Sequence, residues 1–185
     1  PGPDESVFER ATTRIVADGM TALEAARETA AERGYEPLVL SARIRGEARE
    51  AATTHVAIAE EVRATGTPVS PPAVLLSGGE TTVTIRGDGT GGPNQEFATS
   101  AALELADGET AGITVAAVDT DGIDGVTDAA GAIVDETTVE DAAAVRDALA
   151  DNDVQPSLET RHALVRTGPT GTNLNDLRVV VVERA

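Results

Sequence analysis

The sequence predicts an α/β protein built on a layered sheet, largely parallel and mixed at most at its edge, with helices on both faces. Short Val-, Ile- and Leu-rich runs alternate with longer stretches of helical periodicity, the pattern of βαβ units. Aromatic residues make up only 2% of the chain, so aliphatic side chains must fill the core, as they do around buried parallel strands. The 185 residues suffice for one well-buried domain with an appended lobe.

The first predicted segment, residues 1–68, alternates strands and helices. We expect strands at 11–17 and 36–42, a helix from Thr21 that stops near Gly34, and a second helix over 45–65. This order and spacing indicate a parallel βαβ arrangement. The breaker-rich stretch 66-GTPVSPP-72 then marks the boundary to a second α/β segment, residues 69–185.

The second segment continues with strand and helix patterns of similar length. Strands are predicted at 73–77, 81–86, 113–118 and 177–183, and helices at 94–105 and 137–150, with an irregular or shortly helical stretch over 151–163. Between the first two strands, Gly78-Gly79-Glu80 is most simply a hairpin turn.

The charge balance excludes several classes of function. The chain has 32 acidic and 14 basic residues, a formal net charge of −18, and all of its basic residues are arginine. Such a protein should repel nucleic acid and anionic membranes. The absence of cysteine excludes disulfides and thiol chemistry, and no stretch is long and apolar enough to span a membrane. Acidic excess without lysine suggests a protein of a high-salt cytoplasm, where ions screen its self-repulsion.

Four polar, glycine-rich segments interrupt the second half of the chain, and three of them lie at a strand end or a helix start. They are 77-SGGET-81, 87-GDGTGGPNQE-96, 119-DTDGIDGVTD-128 and 167-TGPTGTNLND-176. Ligands of open α/β sheets bind outside the carboxyl ends of strands, so these segments are the candidate site.

Each segment has a functional and a structural interpretation. The glycines of 77–81 permit close approach to a ligand or form the hairpin turn. The helix start near Asn94 offers free amides to an anion, or Asn94 simply caps the helix. The clustered aspartates of 119–128 need a cation or hydrogen-bond donors to offset their repulsion, or they form Asx turns. The 167–176 segment could bind a phosphate or sugar, or form a tight turn. His55 and His162 lie outside any motif.

Three stretches together carry a family resemblance. In order and spacing, SGGETTVTIRGDGTGGPNQEFA, DTDGIDGVTDAAGAIVD and TGPTGTNLNDLRV resemble the MOFRL domain, the C-terminal domain of the glycerate 2-kinases, a family with the older label hydroxypyruvate reductase. The resemblance covers residues 73–185 strongly, and residues 10–65 are similar to the segment that precedes this domain.

The resemblance implies an enzyme that transfers phosphate from ATP, with Mg²⁺, to the 2-hydroxyl of D-glycerate. In the family, the site lies in a cleft between this domain and a larger N-terminal Rossmann-like domain that supplies a glycine-rich loop and a catalytic lysine. This chain has no lysine, so it is expected to be a C-terminal portion that carries half of the cleft and is inactive alone. A homodimer is a compatible assembly.

The resemblance also implies site residues. Catalytic roles fall to Glu96, Asp121 and Arg86, and metal binding to Asp121 and Asp124. Substrate or phosphate binding falls to Gly78, Gly79, Glu80, Thr81, Gly92, Asn94, Gln95, Thr170, Thr172 and Asn173. Pro93 stands where the family commonly has arginine; either proline is a tolerated variant, or another arginine such as Arg86 stabilises the transferring phosphate.

Two alternatives remain open from the sequence. A hydroxypyruvate reductase would oxidise NAD(P)H and need a GxGxxG loop paired with a downstream acid that binds ribose, and we find no such pair. A non-catalytic module would bind a small ligand or a partner domain.

The charge excess gives a first testable prediction. Because salt screens repulsion among surface carboxylates, the thermal unfolding midpoint should rise between low and multimolar KCl. A melting series in KCl measures this, and equal stability at both ends of the series would contradict the high-salt interpretation.

Overall fold

The structure of the protein is a computed structural model that describes residues 11–184. Its six strands are β1 (Glu36–Glu47), β2 (Ala73–Thr82), β3 (Ile113–Asp119), β4 (Gly131–Asp135), β5 (Leu164–Val165) and β6 (Asp176–Val182). Its helices are α1 (Gly19–Glu32), α2 (Ala48–Thr65), α3 (Pro93–Asp107), α4 (Ala142–Ala150) and α5 (Val154–Thr160). None of the helices in this part of the chain is long and apolar enough to cross a membrane.

All six strands form one mixed sheet in the order β1-β2-β6-β3-β4-β5. The α/β class is confirmed, but the proportions differ from the expectation: only β1 and β2, joined through α2, pair in parallel, and the other four pairings are antiparallel. The C-terminal strand β6 causes this difference, because it inserts between β2 and β3 and runs against both.

Helices cover both faces of the sheet, as predicted. On one face, Leu23 of α1 packs with Val74 and Leu76 of β2. On the other face, α2 and α3 enclose the main core, to which the alternate residues of β2 and β6 contribute. Helix α3 is the most deeply buried helix, since every residue from Asn94 to Leu103 is buried. The polar residues at its start therefore lie inside the protein.

Two sequence predictions near the N-terminus have different outcomes. The helix from Thr21 is present as α1, which Asp18 caps by accepting the Thr21 N–H at 3.0 Å. Residues 11–17 do not form the predicted strand, although their β-branched content favours one. A strand needs a neighbour, and no other described strand pairs with these residues.

The boundary proposed near residue 68 falls in the loop between α2 and β2. Hydrogen bonds cross this boundary, because β1 pairs with β2 from Glu36↔Ala73 to Glu47↔Thr82. Both segments thus contribute to the same sheet. The division into segments 1–68 and 69–185 stays a prediction.

The predicted hairpin at Gly78-Gly79-Glu80 is wrong. These residues continue strand β2, which runs unbroken between β1 and β6. Gly79 has φ +130°, and a Cβ there would overlap the backbone of Ile44, where the register of β1 shifts. The glycine pair therefore accommodates an irregular neighbouring strand.

Replacing Gly79 with alanine should destabilise the fold more than the same change at Gly46. Both glycines have positive φ, which costs an alanine about 1–3 kcal/mol, but a Cβ at Gly46 meets nothing within 4 Å. The clash with Ile44 should add about 1–3 kcal/mol in Gly79→Ala. Urea unfolding of both variants measures the difference, and equal losses would show that β1 relaxes freely around the new methyl group.

Candidate active site

The structure brings all four polar segments to one end of the sheet. Gly79 at the end of β2 and Asp119 at the end of β3 both pair with Asp176 at the start of β6. The start of α3 reaches the same place, because Asn94 donates to Asp176 at 2.8 Å. We call this region, residues 77–96, 119–130 and 166–176, the polar edge.

The carboxylate of Asp124 caps helix α3. Its Oδ1 accepts the Asn94 N–H at 3.0 Å, and its Oδ2 accepts the Gln95 N–H at 2.8 Å. The helix needs this partner, because its N-cap residue Gly92 has no side chain and its first amides are buried. Burial raises the pKa of Asp124 to about 6, against the lowering effect of these hydrogen bonds.

This cap changes two of the predicted roles. The start of α3 does not present free amides to an incoming anion, because a carboxylate of the protein already accepts from them. Asp124 is 1% exposed and its carboxylate holds the first amides of α3, so the metal role stays a prediction that would require this cap to open. A Cβ at Gly92 would overlap the Asp124 carboxylate, so that glycine serves the cap as well.

A buried polar chain continues from the cap into the sheet. The Asn94 side chain donates to Asp124 at 3.2 Å and to Asp176, whose other oxygen accepts the Thr81 N–H at 3.0 Å. The guanidinium of Arg178 donates to Asp176 and to the Thr81 hydroxyl, and it lies 4.9 Å from the ring centroid of Phe97. The polar side chain of Thr81 thus faces the interior and not a phosphate.

Sequence reasoning missed Asp176 and Arg178. One signal was available. Alternate residues of the strand 176-DLRVVVV-182 face the core, and Arg178 lies on the same face as the core residues Val180 and Val182. Arg178 is fully buried, and burial lowers its pKa while Asp176 opposes that shift. His55, which no motif marked, also lies here, 2.7 Å from the Ser77 hydroxyl.

Glu96 and Gln95 are also interior residues. Glu96 is 1% exposed; Arg49 donates to its Oε2 and Asn152 to its Oε1, each at 2.6 Å. Asn152 in turn accepts the backbone N–H of Arg86 at 2.7 Å, which fixes the 83–92 loop. Gln95 donates to Thr127 at 2.9 Å. A catalytic role for Glu96 would need this buried ion pair to open.

The accessible part of the acidic loop is formed by Asp119 and Asp121. Asp121 accepts from Ile123 N–H at 2.8 Å and from the Asn173 side chain at 3.0 Å. Asp119 accepts the Asp121 N–H at 3.0 Å; burial raises its pKa, and the charges of Asp121 and Asp176 add to that effect. Both side chains are only half-buried, so they are open to a ligand.

The 167–176 segment folds onto this loop. The Thr170 hydroxyl donates to the Thr120 carbonyl at 2.7 Å, and the Thr170 N–H donates to the Asp121 carbonyl at 2.9 Å. Thr172 and Asn173 remain exposed beside Thr170. The pairing of this segment with Asp121 supports a shared, outward-facing binding surface.

The remaining predicted residues lie around the rim. Arg86 and Glu80 are exposed, and Pro93 occupies the first position of α3. Asp128 turns away towards Arg166 and Gln155, and the Arg166 hydrogen bond lowers its pKa. Within residues 11–184 no group of three acidic, histidine or cysteine side chains has the arrangement of a metal site.

The sequence does contain GxGxxG spacing, at Gly87, Gly89 and Gly92, between β2 and α3. The structure nevertheless does not support a dinucleotide site there. In a Rossmann unit the two strands around that helix are parallel neighbours, whereas β6 separates β2 from β3 here. The helix start that would hold a pyrophosphate is the one that Asp124 caps.

The fold and the polar edge define an α/β domain with a candidate phosphate- or metal-binding surface at one sheet end. The family model described as the MOFRL family matches residues 73–176, more than half of the chain and all of the polar edge. The chain belongs to the MOFRL family.

Several known proteins are similar to this chain. A glycerate 2-kinase of Pyrococcus horikoshii is 40% identical over 173 residues, which cover 91% of this chain and 39% of the relative. An Agrobacterium vitis relative with the provisional name hydroxypyruvate reductase is 43% identical over 178 residues, 91% of this chain and 40% of its own length. The crystal structure of a Thermotoga maritima glycerate kinase superposes with a TM-score of 0.87 at 38% identity, covering 91% of this chain and 41% of that one. The chain thus spans about two fifths of the length of these relatives.

The pKa of Asp124 gives a prediction about stability. Its folded-state pKa of about 6 lies above the unfolded value of 3.8, so its contribution is fully present below about pH 4 and is lost as the pH rises through 6. The free energy of unfolding of the wild type, measured relative to Asp124→Asn, should therefore fall by about 2–3 kcal/mol between pH 4 and pH 7.

Denaturant unfolding of both proteins at several pH values measures this difference. His55 is present in both, so its own titration cancels from the comparison. A difference that instead grew with pH would mean that the amides of α3 keep Asp124 ionised despite its burial.

Proposed function

We propose that this chain forms the C-terminal part of a glycerate 2-kinase, which transfers the γ-phosphate of ATP to the 2-hydroxyl of D-glycerate. The observation that carries the proposal is the convergence at one sheet end of the segments that the family model spans. The glycerate kinases among its relatives support the choice of reaction.

Within the polar edge, the outward-facing groups are the ones suited to bind reactants. Asp121 is held by Ile123 and Asn173 with its carboxylate at the mouth of the loop, where it could orient a hydroxyl. Thr170, Thr172 and Asn173 present hydroxyl and amide groups to a phosphate or glycerate oxygen. Arg86, exposed on the neighbouring loop, supplies positive charge for the transferring phosphate.

The residues at this edge fit a magnesium ion. Mg²⁺ keeps several waters and needs only one or two protein carboxylates besides phosphate oxygens. Asp119 and Asp121 offer two half-buried carboxylates whose mutual repulsion a cation would relieve. Burial raises the pKa of Asp119, and the charge of Asp121 adds to that effect. When bound, the ion would neutralise charge on the phosphates. We place it with Asp121 and Asp119 and not with Asp124.

The rest of the site would come from outside this chain. Its relatives are about two and a half times as long, which supports a further domain in the full-length protein. We propose that this domain is Rossmann-like, closes the cleft and brings a lysine. Three large apolar side chains at the polar edge, Ile85, Ile123 and Val126, are 79%, 40% and 90% exposed, as expected for a surface that another domain covers. We place the enzyme in the cytoplasm.

Substituting Asp121 in the full-length enzyme tests the proposed site. Asp121→Asn should lower kcat for ATP-dependent phosphorylation of D-glycerate by about 100-fold or more, because it removes a charge at the reacting groups. Asp128→Asn is the matched control: the same change in the same loop, at a carboxylate bound to Arg166 and Gln155, should leave kcat within a few-fold of wild type.

Glu96→Gln separates structure from chemistry in the same assay. Its main expected effect is lost stability, since Glu96 contacts Arg49 and Asn152 inside the protein.

Near-normal turnover of Asp121→Asn would remove Asp121 from the site. NADH oxidation with hydroxypyruvate, without kinase activity, would favour the reductase alternative.

A further inference from the structure

We propose that Arg178 is a positioning residue for phosphoryl transfer, a buried cation that holds the ends of β2, β6 and α3 together beneath the reactive carboxylates. The inference rests on the proposed kinase function and goes beyond it, because Arg178 is fully buried, out of reach of a reactant, and follows the stretch that the family model matches.

The geometry gives Arg178 its linking role. One nitrogen, Nη2, donates both to the Thr81 hydroxyl of β2 and to Asp176 of β6. Asp176 passes the connection on to Asn94 of α3 at 2.8 Å, and Asn94 donates to Asp124 at 3.2 Å. The guanidinium of Arg178 thus fixes Asp176, and Asp176 orients the start of α3. The contact of Asn94 with Asp124 extends this order to the loop that carries Asp121.

The charge of Arg178 strengthens this link. Arg178 and Asp176 are both buried, so water screens their ion pair weakly and the pair holds its geometry.

Stability alone is a poor explanation for this arginine. Arg178 is fully buried, yet its Nε and Nη1 have no hydrogen-bond partner within residues 11–184. Buried ion pairs can commonly be replaced by apolar side chains of similar volume without loss of stability. An aliphatic residue would also continue the valine pattern of β6. A cation at this position is therefore better explained by what it does to the polar edge.

The test compares Arg178→Met, Arg178→Lys and wild type in the full-length enzyme. Measurements are kcat and the KM for D-glycerate and ATP. Arg178→Met should lower kcat by about 10- to 100-fold, the usual effect of removing a group that orients ligand-binding residues. Both KM values should stay within a few-fold of wild type, because the exposed groups that bind the reactants remain, and Arg178→Lys, which keeps the charge, should restore part of kcat.

Val62→Ala controls for stability, because Val62 is fully buried in α2 near its C-terminal end, away from the polar edge. This variant should unfold more easily with an unchanged kcat. If Arg178→Met does not fold, Arg178→Gln replaces it, since glutamine keeps hydrogen bonding without the charge and should show the same loss of kcat.

The outcomes separate the two proposals. A wild-type enzyme without glycerate kinase activity would overturn the proposed function and this inference with it. An active wild type whose uncharged Arg178 variant keeps kcat would overturn the positioning role alone. A loss of kcat/KM that comes from KM with kcat unchanged, or a loss of kcat that lysine does not rescue, would also overturn it.

Discussion

The polar edge depends on one interaction, the carboxylate of Asp124 at the start of α3. This helix is buried along most of its length, so its first amides cannot turn to water. A local cap is missing because Gly92 precedes Pro93, and the cap comes instead from the loop after β3. The cap joins a helix to a distant loop, and so it fixes where the aspartates of that loop lie relative to β2 and β6.

The residues of the family motifs fall into two groups around this cap, one buried and one exposed. Asn94, Gln95 and Glu96 point inward, where they bind Asp124, Asp176, Thr127, Arg49 and Asn152. Asp121, Thr170 and Asn173 point outward at the sheet end. A motif such as NQE can therefore hold the binding surface in shape without touching a ligand. Motif similarity alone does not separate these two reasons.

Local patterns predicted most of the elements, and long-range pairing limited the rest. Helical spacing located α1, α2 and α3, and aliphatic runs located β3 and β6, because burial sets both patterns. The direction of β6 was not predictable, since a run such as VVVV is the same whether its neighbours run parallel or antiparallel. Gly79 was misassigned to a turn for a similar reason. Its positive φ accommodates the register shift at Ile44 of β1, some 35 residues away along the chain.

The candidate site was predictable to the same extent. The order of the polar segments placed them correctly at the ends of strands, but it could not show which side chains are buried. Asp124 and Asp121 differ by three positions in one acidic loop, yet one is 1% exposed and the other half-buried. Asp176 and Arg178 escaped notice because their importance comes from partners on other strands.

The distribution of charge inside and outside the protein has a further consequence. The buried acids Asp124, Asp176 and Glu96 each have a helix start or an arginine as partner. The excess behind the net charge of −18 must therefore lie mainly at the surface. Salt screens exposed charges strongly and buried pairs weakly. Ionic strength should then act on the stability of the fold, while the electrostatics beneath the polar edge, set by Arg178 and its carboxylates, stay nearly constant.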